Sequence, residues 1–149
     1  MPTFFLDENL HGKIVSGVLR KAGLQVEQHK DHFKQGVNDE VWLPEVAQRG
    51  WIAVTCDVNT RFARVEVESI IRSNAQVIHM INGKNATHPA LAQNFINSLG
   101  EIYKFIEKHQ PPFLGVLVRP SRLEDFSAGK PGRVRPIDLE AALRKSRAR

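Results

Sequence analysis

Short apolar runs alternate with longer amphipathic stretches along most of this chain. Thr3 to Leu6 is a compact apolar run of strand type, and Asp7 stands at its end. Ile14, Val15, Val18, Leu19 and Ala22 then recur at helical spacing, and Gly23 supplies a stop. Leu24 to Glu27 predicts a second strand. A stretch rich in charge and histidine follows through Val37, and His29 and His32 read there as a solvated loop pair. Asn38 is placed to cap a helix over 39–49, whose first turn carries acids where the helix dipole favours them. Pro44 is awkward inside that helix, which predicts a kink or a delayed start, and Gly50 ends it. Trp51 to Thr55 predicts a third strand, and Thr60 a cap for a helix over 61–72. Gln76 to Ile81 predicts a fourth strand, and Asn82-Gly83-Lys84-Asn85 a turn. Thr87 caps the longest helix, with Pro89 just inside it. Its apolar stripe is Leu91, Ala92, Phe95, Leu99, Ile102, Tyr103 and Ile106, and Pro111-Pro112 breaks it. Phe113 to Val118 predicts a fifth strand. From Arg119 onward Gly, Pro and charge dominate until a short helix over 137–145.

Strict alternation of strand and helix predicts an α/β fold. The expected core is a mostly parallel sheet of about five strands with helices on both faces. It spans residues 1–118, and residues 119–149 follow as a basic C-terminal extension. The charge sharpens that division. Residues 1–118 are formally neutral, whereas 119–149 hold nine Lys/Arg against four Asp/Glu and carry the whole excess of +5. A neutral body with acids at one edge and a basic appendage suits a polyanionic partner; a solvated tail is the plainer alternative. The single cysteine, Cys56, cannot form an internal disulfide, which points to the cytoplasm. The first residues are too short and uncharged for a signal peptide, and no stretch approaches the ~20 apolar residues of a membrane span. No Cys/His zinc pattern is present.

Three acids carry the candidate chemistry. Asp7 and Asp57 each follow an apolar strand, and Asp39 with Glu40 opens a helix. In an open α/β sheet the carboxyl ends of the strands converge on one ligand-binding edge. Carboxylates gathered there repel one another unless a cation such as Mg²⁺ or Mn²⁺ sits between them. The plain readings are an N-cap for Asp7 and dipole compensation for Asp39 and Glu40. Asp39 lies one turn before Leu43 and two before Val46, on the inward stripe, which favours it over Glu40 as the third acid. Thr55, two residues before Asp57, offers a supporting hydroxyl. Arg61, Arg64 and Lys84 are candidates for phosphate contacts. His79 reads as a satisfied buried histidine, His11 as solvated, and Trp42 and Trp51 as core.

Asp7-Glu8-Asn9-Leu10, Asn38-Asp39-Glu40, Val54-Thr55-Cys56-Asp57 and Arg61-Phe62 together resemble the PIN-like nucleases, most closely the short toxins of bacterial toxin–antitoxin pairs. The resemblance covers roughly residues 3–118 and implies a PIN-like three-layer sandwich. It implies that Asp7, Asp39 and Asp57 are metal-binding catalytic acids, with Thr55 supporting the third and Glu40 replacing or assisting Asp39. It further implies a Mg²⁺- or Mn²⁺-dependent ribonuclease acting on RNA, paired with a cognate antitoxin; a homodimer stays open. Many relatives carry a further acid two residues after the third, where this chain has the weaker ligand Asn59. A catalytically weak PIN-like module that binds RNA or protein is therefore the alternative. A receiver-like phospho-acceptor domain is a second, since Asp7-Glu8, Asp57 and Arg119-Pro120 have about that layout. However, Arg119 stands where a receiver has Lys, and Asn38-Asp39-Glu40 would have no task.

Overall fold

The computed structural model describes residues 1–56, 64–81 and 87–147, without the side chains of 64, 65, 146 and 147. Five parallel strands form the sheet: β1 (Thr3–Leu6), β2 (Gln25–Gln28), β3 (Ile52–Cys56), β4 (Gln76–Ile81) and β5 (Phe113–Val118). A sixth, β6 (Arg133–Pro136), pairs antiparallel with β5, giving the order β2-β1-β3-β4-β5-β6. The helices are α1 (Ile14–Lys21), α2 (Asp39–Gln48), α3 (Arg64–Ser73), α4 (His88–Asn97), α5 (Leu99–Lys108), α6 (Leu123–Ser127) and α7 (Leu139–Arg147). No helix among the described residues is long and apolar enough to cross a membrane.

The period-two alternation of each strand divides its side chains between two cores. Phe4, Leu6, Ile52, Val54, Ile78 and Met80 face α1, α4 and α5. Phe5, Ala53, Val77 and Leu114 face α2, α3 and α7. The sequence order β1, β2, β3 against the spatial order β2, β1, β3 makes the chain reverse direction at β1. With right-handed crossovers, that reversal puts α1 and α2 on opposite faces. It also opens a crevice beyond the ends of β1 and β3, the switch point where such sheets bind ligands.

Two expectations need correction. The long helix expected after Thr87 is broken into α4 and α5 at the fully buried Ser98, whose φ is −99° and ψ 10°. The Ser98 hydroxyl donates to Asn94 Oδ1 at 3.4 Å and accepts from the Gly132 N–H at 2.8 Å, so a side chain competes with the helix at this point. Pro44, by contrast, remains inside α2. Asn38 occupies the N-cap position there but makes no side-chain capping bond, whereas the Thr87 hydroxyl caps α4 by accepting from Ala90 N–H at 3.3 Å.

The basic C-terminal segment joins both the sheet and the cores. Val134 of β6 packs on the first core, and Leu139 is buried in the second with Ile137, Ala142 and Leu143 against it. The Ile137 N–H donates to the Leu114 carbonyl at 2.9 Å. Gly132 lets the chain turn into β6, because a Cβ there would overlap the Val118 carbonyl oxygen. Gly132→Ala is therefore expected to lower stability by ~1–3 kcal/mol, the usual cost of overpacking against a backbone that cannot yield. Urea denaturation read by circular dichroism checks this, and an unchanged midpoint would refute the close approach.

Candidate active site

Asp7 ends β1 without leaving the sheet. Its N–H still donates to the Val54 carbonyl at 3.1 Å, continuing the β1–β3 ladder. Its carboxylate then caps a 3-10 turn over Glu8–Leu10, with Oδ1 accepting from the Asn9 N–H at 2.8 Å. The Asn9 side-chain amide donates to the Cys56 carbonyl at 3.3 Å and ties this turn to the end of β3. The capping reading of Asp7 and its place in an acidic crevice thus hold together.

Burial pushes the Asp7 carboxyl up to about 7, against the Asn9 N–H bond that holds it down. The negative charges of Asp39, Glu66 and Glu8 raise it further. Asp39 opens α2 and is half-buried, whereas Glu40 beside it is exposed. The Asp39 Oδ1 accepts from the Trp42 Nε1–H at 3.1 Å. Burial lifts its carboxyl above the ordinary carboxylate range; the Trp42 bond and His29 oppose this, and Glu40 and Glu8 add to it. Glu8 Oε1 accepts from the Gly36 N–H and anchors the loop that leads to α2.

The strand register extends this picture sideways. Leu6 pairs with both Gln28 and Val54, and Thr55 pairs with His79. One residue past Leu6, His29, Asp7, Thr55 and His79 align across the sheet on the face covered by α2 and α3. Thr55 and His79 are buried, and the Thr55 hydroxyl lies 2.7 Å from His79 Nδ1. His79 is indeed a buried, hydrogen-bonded histidine, and its partner is the hydroxyl singled out as a supporting group. A buried hydroxyl held on one side by an imidazole has its remaining hydrogen-bonding capacity directed by that bond.

Of the other sequence candidates, Asp57, Asn59, Arg61 and Lys84 lie outside the described residues, as does the side chain of Arg64. Among the described residues, no three His, Cys, Asp or Glu side chains form a metal-holding group. The described part of the site thus contributes two carboxylates, Asp7 and Asp39, with Glu8 and Glu66 near enough to act on Asp7 through their charge. Trp42 is buried, and Trp51 packs on the same core.

Three features of the site were not read from the sequence. Glu66 sits in the first turn of α3, and its only sequence signal was its place beside the buried Val67 and Ile70. His29 is not solvated: it is 3% exposed, packed against Phe5, Phe33 and Trp42. His32 does keep a polar partner, Glu27, at 2.9 Å. Gln28 is also buried, and its amide donates to the Gly12 carbonyl at 2.9 Å. His29 falls in a short 3-10 turn, which carries no apolar period, and Gln28 is a polar residue on the inward face of β2 beside Val26, so neither is marked as interior by its residue type.

Residues 2–82, more than half of the chain, match a family model described as a PIN like domain. No curated protein and no solved structure matches significantly. The matched stretch runs from the start of β1 past the end of β4, and its sequence contains Asp7, Asp39 and Asp57. On this match, the chain belongs to the family of PIN-like domains.

Proposed function

We propose that this PIN-like domain is a Mg²⁺- or Mn²⁺-dependent ribonuclease, working as the toxin of a toxin–antitoxin pair. The observation that carries the proposal is the place of Asp7: a half-buried acid ending β1 at the switch point of the sheet, with Asp39, Glu8 and Glu66 close enough to act on it through their charge. A structural carboxylate is normally paired with a cation or a set of donors that lower its pKa. One that is raised by burial and by like charge suits a site completed by a hard divalent ion, for which all-oxygen donors are the proper set.

In this reading Asp7, Asp39 and Asp57 hold the ion, with Thr55 supporting Asp57. A divalent ion so held supplies charge neutralisation at a phosphodiester and activation of water. Trp42 keeps Asp39 turned toward the crevice, and the Asn9 N–H keeps Asp7 in place. Asp39→Asn is expected to lower cleavage by ~10²-fold or more, since losing even an outer-shell partner of a metal ligand costs ~10–100-fold. Glu40→Gln, at an exposed position, is expected to stay within a few-fold of the parent. Equal losses in both variants would contradict this assignment.

The basic C-terminal segment fits RNA as partner. Arg133 pairs with Val118 at the same sheet edge that carries Asp7, and Arg133 and Arg135 are exposed. Arg133→Glu and Arg135→Glu are each expected to weaken RNA binding and to flatten its salt dependence by ~0.7 log units per lost phosphate contact. An unchanged slope would assign these charges to solubility or to an acidic surface of the antitoxin.

The decisive experiment is cleavage of labelled single-stranded RNA by the full chain with Mn²⁺, with EDTA, and with Cys56→Ser. Activity should require the metal and survive the cysteine change. Cleavage that persists in EDTA overturns the proposal. RNA binding without any cleavage would instead make this a binding module.

A further inference from the structure

We propose that the cavity on the β2 side of Asp7 is a nucleotide-binding subsite, taking one nucleotide of the strand whose phosphate lies at Asp7 and Asp39. The inference deepens the ribonuclease reading and rests on it for the placement of that phosphate. The cavity encloses about 610 Å³ beyond the ends of β1 and β2. That is within the ~300–1,000 Å³ of ordinary small-molecule sites and ample for a nucleoside with its phosphate.

Its walls are chemically divided. Leu6 and Leu10 line it with fully buried apolar surface. The flat rings of His29, His32 and Phe33 line another part, with the His29 and Phe33 centroids 5.5 Å apart. Asp7, Glu8 and Asp31 line it together with the exposed Lys30 and Lys34. A ligand that matches these has a flat body with polar edges, and anionic groups for the lysines and for the acid-held ion. A nucleotide within a strand has that form: its base stacks on rings, and its two flanking phosphates reach the acid-held ion and the lysines.

A second observation concerns His29. It lines the cavity and is 3% exposed, and its Nε2 is buried without a hydrogen-bond partner. A buried unpaired polar atom of this kind costs ~1–3 kcal/mol. An imidazole is an expensive choice for a purely structural ring among Phe5, Phe33 and Trp42, where a phenyl would pack without that cost. A base edge or ribose hydroxyl bound in the cavity would supply the missing partner.

Both tryptophans of the chain report on this place. Trp42 lies 6.1 Å from the His29 ring and Trp51 5.3 Å from the His32 ring. The test is tryptophan emission of the full chain in EDTA, where binding is read without cleavage. The titrants are nucleoside 5′-monophosphates, a six-nucleotide single-stranded RNA, inorganic phosphate and an acidic peptide. Saturable change is expected with nucleotides, with the RNA at least ~10-fold tighter than any monophosphate, and none with phosphate alone. His29→Phe keeps the ring packing and should weaken nucleotide binding ~10-fold with an unchanged circular dichroism spectrum. Lys34→Glu, at an exposed position, should weaken the RNA more than the monophosphates.

No emission change with any nucleotide, in a protein that still cleaves RNA with Mn²⁺, overturns the subsite and leaves the ribonuclease reading standing. Binding at parental strength in both variants overturns it as well. A response to the acidic peptide alone would make the cavity a protein-docking site and equally overturn the proposal. Monophosphates binding as tightly as RNA would mark a free-nucleotide pocket and overturn the placement in a strand. Nucleotide binding as expected, in a chain that never cleaves, would keep the subsite and remove the ribonuclease reading.

Discussion

Asp7→Asn is expected to abolish metal-dependent cleavage while making the metal-free protein more stable at neutral and alkaline pH. The two effects have one origin. In the folded chain the Asp7 carboxyl is raised from an ordinary 3.8 to about 7, first by burial and then by the charges of Asp39, Glu66 and Glu8. Between those two values the folded state binds a proton that the unfolded state has released. Stability therefore falls as pH rises through that window, and the full deficit is present above about 7. At ~1.4 kcal/mol per pKa unit the ceiling is ~4 kcal/mol, and partial solvent access at Asp7 brings the expected gain nearer ~1–3 kcal/mol. Asn keeps the shape and a side-chain oxygen for the Asn9 N–H, so the cap of the 3-10 turn is retained.

Thermal melts in EDTA at pH 4, 6 and 8 should show the parent and variant alike at the lowest pH and diverging as pH rises. Mn²⁺ should then raise the melting temperature of the parent, as any ligand of the folded state does, and leave the variant nearly unmoved. Two melting curves that stay superimposed at pH 8 in EDTA would contradict the raised carboxyl. An equal Mn²⁺ response in both proteins would remove Asp7 from the metal site.

The second large effect concerns the C-terminal segment. A chain ending at Val118 is expected not to fold. It would lack β6, exposing the ladder edge of β5, and would strip Ile137, Leu139, Ala142 and Leu143 from the second core and Val134 from the first. Each well-buried aliphatic side chain contributes ~1.5–3 kcal/mol, and these are only partly buried apart from Leu139. The sum is nonetheless comparable to the ~5–15 kcal/mol that holds a domain of this kind together. An unpaired hydrophobic edge strand also invites aggregation. Soluble expression, circular dichroism and a cooperative melt of the shortened chain decide the matter. A folded, cooperative product would show that the segment is a detachable appendage. Charge and packing are separable here, because Arg133→Glu and Arg135→Glu alter the exposed basic side chains of β6 without touching Val134 or Leu139.

The pattern of apolar positions by itself determined the α/β class, five parallel strands and the placement of Asp7 at a strand end and of Asp39 at a helix start. The unbroken apolar runs Phe4-Phe5-Leu6 and Ile52-Ala53-Val54, and period 3.6 in Leu91-Ala92-Phe95, are local signals that survive into the fold because burial enforces them. The sixth strand was hidden, since Arg133-Val134-Arg135-Pro136 has one apolar residue and becomes a strand only by pairing with β5. The break at Ser98 was hidden too, because it depends on a contact with Gly132, 34 residues away.

The site was legible only as far as its local cues reached. An acid directly after an apolar strand marks a crevice, and that cue pointed to Asp7. The inward stripe of α2 favoured Asp39 over Glu40, and Asp39 is the more buried of the two. What raises Asp7, however, is first its burial and then the charges of Asp39 on α2, Glu66 on α3 and Glu8, and no spacing in the sequence encodes that surrounding. The interior place of His29, the bond between Thr55 and His79, and the cavity walled by Leu6, Leu10 and Phe33 likewise belong to the tertiary structure. Each arises where strand register and helix packing bring together residues that are remote in sequence, and such long-range juxtapositions leave no periodic trace along the chain.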